Sequence, residues 1–114
     1  MSLISCLFCK IIAKEIPAGI VYEDEKVVAF KDIAPQAPTH ILLVPREHAR
    51  FVEELADKGV VGRIYKIAAD LARENKIADS GYRIVVNHGR AAGQAVDHVH
   101  FHLLGGRDFS WPPG

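Results

Sequence analysis

The sequence predicts an α+β fold: an antiparallel five-stranded sheet with one long and one short helix. Five segments carry strand-like runs or alternation, and one long segment carries a helical apolar stripe. The last two strands are joined by a loop too short for a parallel crossover, so they should be antiparallel. We expect the helices to pack on one face of this sheet. At 114 residues the chain has the size of a single domain, 1–114.

The predicted elements follow one another as short helix, hairpin, strand, long helix and two strands. They are a helix over residues 6–13, strands over 20–23, 26–30 and 39–44, a helical turn over 50–55, the long helix over 59–74, and strands over 81–87 and 98–104.

Capping and chain-breaking residues set these boundaries. Ser5 is a candidate N-cap for the first helix, and Pro17 and Gly19 end that region. Two acidic residues at 24–25 make the turn of the hairpin. Pro45 ends the third strand.

The long helix is predicted from its two faces. Its apolar stripe consists of Val61, Ile64, Ala68, Leu71 and Ala72, and its opposite side carries Arg63, Lys66, Asp70 and Arg73. Residues 81–87 alternate as a strand, and the proline-rich tail at 111–114 is expected to be neither helix nor central strand.

Charge and hydropathy exclude several classes of protein. Basic and acidic residues balance at 14 each, which argues against non-specific binding of nucleic acid. The apolar runs are far too short to span a membrane. Residues 1–5 carry neither a basic region nor a long apolar stretch, so we expect no secretory signal and a cytoplasmic protein.

The most informative segment is residues 98–104, in which three histidines alternate with apolar residues. On a strand, His98, His100 and His102 project from one face, ~6.5–7 Å apart. If the Nδ1–H of His100 is tied to a carbonyl, its Nε2 is free to attack phosphorus or to bind a metal. His40 reaches the same site if its strand neighbours this one.

A glycine-bearing loop over residues 88–97 precedes the histidine strand. Its glycines allow backbone N–H groups to approach an anion, and Asn87 and Gln94 add neutral donors. Asp32, next to Ile33 before the proline loop, could accept two ribose hydroxyl groups, although a surface turn is the simpler interpretation.

Cys6 and Cys9 form a Cys-x-x-Cys pair. Without an export signal a structural disulfide is not the first choice, so half of a metal site and a redox pair both remain open.

The chain resembles the histidine-triad (HIT) superfamily, and within it the Hint branch. The matching segments are residues 98–104, 6–12 with 15–17, 32–40, 82–87 with 92–94, and 104–107 with 111–114, which cover nearly the whole chain. The resemblance implies a homodimer whose sheets join into one ten-stranded sheet. It implies hydrolysis of purine nucleoside phosphoramidates, with adenosine 5′-phosphoramidate as the model substrate, and no cofactor for catalysis.

The resemblance also implies roles for individual residues. His100 would be the nucleophile, supported by His98 and His40, while Asn87, Gly93, Gln94 and His102 would hold the α-phosphate. Asp32 would bind the ribose and Ile33 would pack on the base or sugar. Trp111 would approach the site of the partner subunit and help select the leaving group.

Two features set this chain apart from many relatives. Ala95 stands where many Hint proteins have serine, which bears on rate and leaving-group preference. The cysteine pair, by resemblance to bacterial relatives that have it, would bind structural zinc through Cys6, Cys9, His48 and His98.

Three other functions stay open at this point. The triad itself could hold a catalytic metal, the chain could bind purine nucleotide without catalysis, or it could hydrolyse dinucleoside polyphosphates like other branches of the superfamily.

Overall fold

The molecule is built on five antiparallel strands in a computed structural model that describes residues 5–114. The helices and strands of the described chain are α1 (Leu7–Ile12), β1 (Ile20–Glu23), β2 (Val27–Lys31), β3 (Thr39–Pro45), α2 (Gly59–Glu74), β4 (Tyr82–Val86) and β5 (Phe101–Gly105). The spatial order is β1-β2-β3-β5-β4, with short 3-10 turns at Val52–Glu54 and Arg90–Ala92. The predicted α+β class and the five antiparallel strands are confirmed.

The central pairing of β3 with β5 brings distant histidines together. Leu42 lies opposite His102, and His40 lies opposite Leu104 on the same face of the sheet. On its other side β5 pairs with β4, where Val85 faces His102. The condition for His40 to reach the triad is therefore met.

The expectation that both helices pack on one face is wrong. Helix α2 packs on the face that carries Val27, Leu43 and Phe101, whereas α1 packs on the opposite face with Val28 and Leu42. The physical reason lies in β2 and β3, whose side chains are buried on both faces. A strand that is apolar on both sides needs cover on both sides.

The predicted and observed boundaries of the elements agree most closely where the hydrophobic pattern is long. Helix α2 begins and ends at the predicted residues. The predicted N-cap was wrong, because Cys6 caps α1 by accepting the Cys9 N–H at 3.3 Å. Strand β5 begins at Phe101, so His98 and His100 lie just before its ladder.

No helix in residues 5–114 has the length and apolar character needed to cross a bilayer. The expected absence of a secretory signal depends on residues 1–5, of which 1–4 lie outside the described residues.

Candidate active site and metal centre

The three triad histidines face away from the α2 core. Val99, Phe101 and Leu103 all belong to that core, as the alternation predicted. On the opposite side the rings of His100 and His102 lie 5.2 Å apart, centroid to centroid.

His100 has its ring fixed by the backbone. Its Nδ1 lies 2.7 Å from the carbonyl oxygen of His98, and the residue is buried. A carbonyl only accepts, so Nδ1 carries the proton of this hydrogen bond. In the neutral ring Nε2 then keeps its lone pair, which is the state a nucleophile needs.

The state of His102 follows from a chain of hydrogen bonds that starts outside the triad. The backbone N–H of Gln36 donates to His40 Nδ1 at 3.0 Å. In neutral His40 the proton is therefore on Nε2, which lies 2.9 Å from His102 Nδ1. His102 accepts there, so its own proton is on Nε2 and can be donated to a ligand.

Burial keeps both histidines of this pair neutral. It lowers the pKa of His40, against the opposing charge of Asp32, whose Oδ2 lies 3.4 Å from His40 Nε2. Burial also lowers the pKa of His102 to about 4, with smaller contributions from His100 and His40. At neutral pH the pair is thus a hydrogen-bonded relay without net charge.

These shifts predict acid sensitivity of the fold. Because burial lowers the pKa of His102 to about 4 in the folded protein, from 6.5 ordinarily, the unfolded chain binds more protons between these two values. The free energy of unfolding should fall as the pH drops from 6.5 towards 4. Urea titrations at about pH 7 and about pH 5, with saturating zinc, should show a smaller loss for His102→Gln than for wild type. Equal losses in the two proteins would contradict the assignment.

A cavity of about 210 Å³ opens beside this relay, on the part of the sheet that α1 leaves uncovered. It is lined by Gln36, His40, Arg83, Val85, Asn87, His102, Leu104, Arg107, Phe109 and Pro113. Two guanidinium groups and no carboxylate line it, which favours an anionic occupant.

The loop before the triad is held by its own side chains. Gly89 and Gly93 adopt φ of 86° and 89°, which favour glycine. The Gln94 side chain accepts from the Gly89 N–H at 2.8 Å and donates to the carbonyls of Arg50 and Val96. Its amide thus shapes the loop, and a phosphate contact by Gln94 would require an exchange of these bonds.

Of the two residues predicted to contact the nucleoside, Asp32 lies beside His40. Asp32 Oδ1 accepts from the Ala34 N–H at 2.8 Å, which leaves Oδ2 beside His40. Ile33 and Trp111 are 99% and 83% exposed, so both offer uncovered apolar surface. The tail before Trp111 is fastened by the Arg83 and Arg107 guanidinium groups, which lie 5.0 and 4.2 Å from the centroid of the Phe109 ring.

Four side chains form a second cluster, about the size of a zinc site. Cys6, Cys9, His48 and His98 place their sulfur and nitrogen atoms within 4.8 Å of one another. His98 Nδ1 lies 3.4 Å from Cys6 Sγ and 3.2 Å from His48 Nδ1, and Cys9 Sγ lies 3.3 Å from His48 Nδ1. A tetrahedral zinc ion would require about 3.3 Å between two nitrogens and about 3.5 Å between nitrogen and sulfur.

The surroundings of this cluster also fit zinc. His98 Nε2 lies 2.8 Å from the Pro45 carbonyl, which keeps the proton on Nε2 and the lone pair on Nδ1. Burial raises the pKa of the Cys9 thiol to about 12, so zinc binding would release its proton. Four protein ligands would leave no open position, so these residues fit a structural ion.

His98 therefore differs from its neighbours in the triad. Both of its ring nitrogens have partners outside the cavity, and it is fully buried. Its contribution to the triad is its carbonyl, which fixes His100. A carbonyl at His100 Nδ1 was expected from the sequence, but its identity as the His98 carbonyl was not. The Pro45 carbonyl and the Gln36 N–H were not expected either, because backbone groups carry no signal in residue identity.

The chain matches a known protein family and is similar to named relatives. The HIT domain family model matches residues 13–109. A "14 kDa zinc-binding protein" of Zea mays is 47% identical over 95% of this chain and 87% of that protein.

Solved structures of related proteins share the fold of this chain. A HIT family hydrolase from Legionella pneumophila is 46% identical with a TM-score of 0.92, over 96% of this chain and all of that one. A histidine triad nucleotide-binding protein from Candida albicans is 35% identical with a TM-score of 0.83, over 96% of this chain and 85% of that one.

Proposed function

This chain belongs to the HIT domain family, and from that premise we propose that it is a purine nucleoside phosphoramidase of the Hint branch. It hydrolyses substrates such as adenosine 5′-phosphoramidate through a nucleotidyl group on His100. The observation that carries the proposal is the 2.7 Å contact of His100 Nδ1 with a carbonyl, which leaves Nε2 as a nucleophile. The Trp-Pro-Pro-Gly tail favours this branch.

In the first step His100 Nε2 attacks the α-phosphorus. The Nε2–P bond forms, the P–N bond breaks, and the amine departs with a proton taken from water, which leaves one hydroxide in the solvent. His100 becomes positively charged, and its Nδ1–H bond to the His98 carbonyl stabilises that charge. His102 Nε2–H donates to a phosphoryl oxygen as charge builds on it.

In the second step water attacks the same phosphorus. The new P–O bond forms as the P–Nε2 bond breaks, and the attacking water releases one proton, which neutralises the hydroxide left by the first step. Nucleoside monophosphate leaves and His100 returns to its neutral form. Asn87, Gly93, Gln94 and His102 hold the α-phosphate in both steps. His40 keeps His102 in the donor tautomer, which is supported by the 2.9 Å contact between them.

We assign the nucleoside to the end of the site near Asp32. Its carboxylate accepts from the ribose hydroxyl groups, and the exposed side chain of Ile33 packs against the base or sugar. A purine nucleotide is therefore the small-molecule partner of this chain.

Asp32→Asn should weaken discrimination between ribose and deoxyribose substrates. Loss of hydrogen bonds to a charged group costs about tenfold or more in kcat/KM for the ribose form. Steady-state kinetics give the ratio of kcat/KM between adenosine and 2′-deoxyadenosine 5′-phosphoramidate. Asp97→Asn is the control at an exposed carboxylate. If both substrates slow equally, Asp32 acts through His40 and does not bind ribose.

We further propose a homodimer joined along β4. This strand lies at an edge of the sheet, where unpaired backbone groups can pair with a second copy to make ten strands. Trp111 would then approach the partner's site, and its exposure supports this. We take residues 1–114 as one HIT domain acting in the cytoplasm, where thiols stay reduced.

The activity is tested by following phosphoramidate and dinucleoside polyphosphate substrates in parallel. We expect release of AMP and amine from adenosine 5′-phosphoramidate, at a rate well above that for diadenosine polyphosphate. The reverse preference would favour the polyphosphate branch, and binding without turnover would favour a nucleotide-binding protein.

A second candidate rests on the proximity of Asp32, His40 and His102, whose ligand atoms also lie within 4.8 Å of one another. A catalytic metal there would make turnover sensitive to chelators in a protein that stays folded. The hydrogen bonds of His40 to Gln36 and His102 favour the covalent mechanism.

A further inference from the structure

The metal cluster and the proposed nucleophile share one peptide unit. The carbonyl of the 98–99 peptide accepts from His100 Nδ1 at 2.7 Å. The N–H of the same peptide, on Val99, donates to the Ala49 carbonyl at 2.8 Å. Its plane is thus fixed from both sides, and a rotation of this peptide would withdraw the acceptor from His100.

Both flanks of that peptide carry metal ligands. His98 places its Nδ1 in the cluster, and Ala49 follows His48, which also belongs to it. The two histidine nitrogens lie 3.2 Å apart. An ion bound there would hold the two chain segments in the register that orients the peptide.

Helix α1 makes a second connection between the two sites. Phe8 lies between Cys6 and Cys9, and its ring centroid lies 5.1 Å from that of His100 and 6.0 Å from that of His98. Cys6 also caps this one short helix. Fixing the two sulfur atoms therefore fixes the ring that packs edge-on against the nucleophile.

We propose that metal bound by Cys6, Cys9, His48 and His98 positions the His100 imidazole for attack, through the 98–99 peptide and the Phe8 ring. The metal is then more than a fold-stabilising ion: the ligands act as positioning residues for a nucleophile they do not touch through their side chains. The inference rests on the proposed function for its kinetic consequence, while its structural consequence at the His100 ring stands alone.

The expected loss of rate on metal removal can be set by two general observations on positioning groups. By analogy, the outer partners that orient the ligands of a metal typically contribute 10–100-fold to affinity or activity. A nucleophile displaced by about 1 Å can lose about 100-fold in rate. We therefore expect metal removal to slow formation of the nucleotidyl-enzyme by about tenfold or more.

The test compares zinc-loaded and metal-free protein with two variants. Phe8→Leu retains all four ligands, and Ile64→Val removes a methyl group from the α2 core on the other face of the sheet. Nitrogen-15 NMR of the His100 ring reports the proton on Nδ1. Rapid-quench measurements at saturating adenosine 5′-phosphoramidate report the rate of nucleotidylation.

We expect metal removal to broaden or shift the His100 Nδ1 signal and to slow nucleotidylation. Phe8→Leu should move both readouts in the same direction with one zinc still bound, and Ile64→Val should move neither, although it lowers the thermal stability. If the metal-free protein folds and its His100 signal is unchanged, the inference is overturned. If the metal-free protein does not fold, an unchanged His100 signal in zinc-loaded Phe8→Leu overturns it. Absence of nucleotidyl-enzyme in every form would instead count against the proposed function, since the NMR comparison does not depend on turnover.

Discussion

His100→Gly should abolish the nucleotidyl-enzyme and lower turnover of adenosine 5′-phosphoramidate by on the order of 10⁴-fold. The reason is that Nε2 of this ring supplies the lone pair, and its tautomer is set by the bond from Nδ1 to the His98 carbonyl. Intact-protein mass spectrometry after brief mixing measures the effect directly. Wild type should gain the mass of one adenylate group, and the variant should gain none.

Two further variants make this result interpretable. His88→Ala is the matched control. Among the histidines of the described chain, His88 alone belongs neither to the triad with its neighbour His40 nor to the metal cluster. It should form the adduct as wild type does. Accumulation of the adduct on His102→Ala would indicate that His102 assists hydrolysis of the adduct more than its formation. Turnover by His100→Gly without an adduct would instead indicate direct attack by water.

Removal of zinc should lower the free energy of unfolding of this protein by about 4 kcal/mol. A ligand that binds only the folded state at about 1,000 times its Kd contributes about 4 kcal/mol to the free energy of unfolding. For a chain of this size that corresponds to a rise in Tm of about 15 °C. Calorimetry of the protein with zinc and with a chelator gives the comparison.

A matched pair of histidine variants separates the metal site from general effects of substitution. His48→Asn removes one ligand and should lose both the bound zinc and the zinc-dependent rise in Tm. His88→Asn changes an exposed histidine and should retain both. A Tm that does not respond to zinc, with the metal shown to bind, would mean that the cluster does not stabilise the fold.

Periodicity predicted the parts of the molecule that depend on neighbours in sequence. The apolar stripe of α2 predicted both of its ends, and the alternation at 98–104 correctly placed Val99, Phe101 and Leu103 opposite the histidines. The N-cap at Cys6 was missed because sulfur is a rare cap, and its role there follows from the position of Cys9 in the helix.

Long-range placement depended on the tertiary structure. The pattern of α1 could not show which face of the sheet it covers, because β2 and β3 are apolar on both faces. Likewise, period two placed His98 in one row with His100 and His102, yet its ring turns to Cys6 and Pro45. Burial among distant partners decided this.

The sequence by itself determined the fold class and the histidine row, since both depend on spacing along the chain, whereas the four residues of the zinc site were implied only by resemblance to relatives. Only the tertiary structure decided which ring nitrogen of each histidine carries the proton. That choice is made by the carbonyl of His98 and the N–H of Gln36, which are backbone groups that every residue type possesses. Their positions are a property of the fold, so the chemistry of the site emerges only when the chain has assembled.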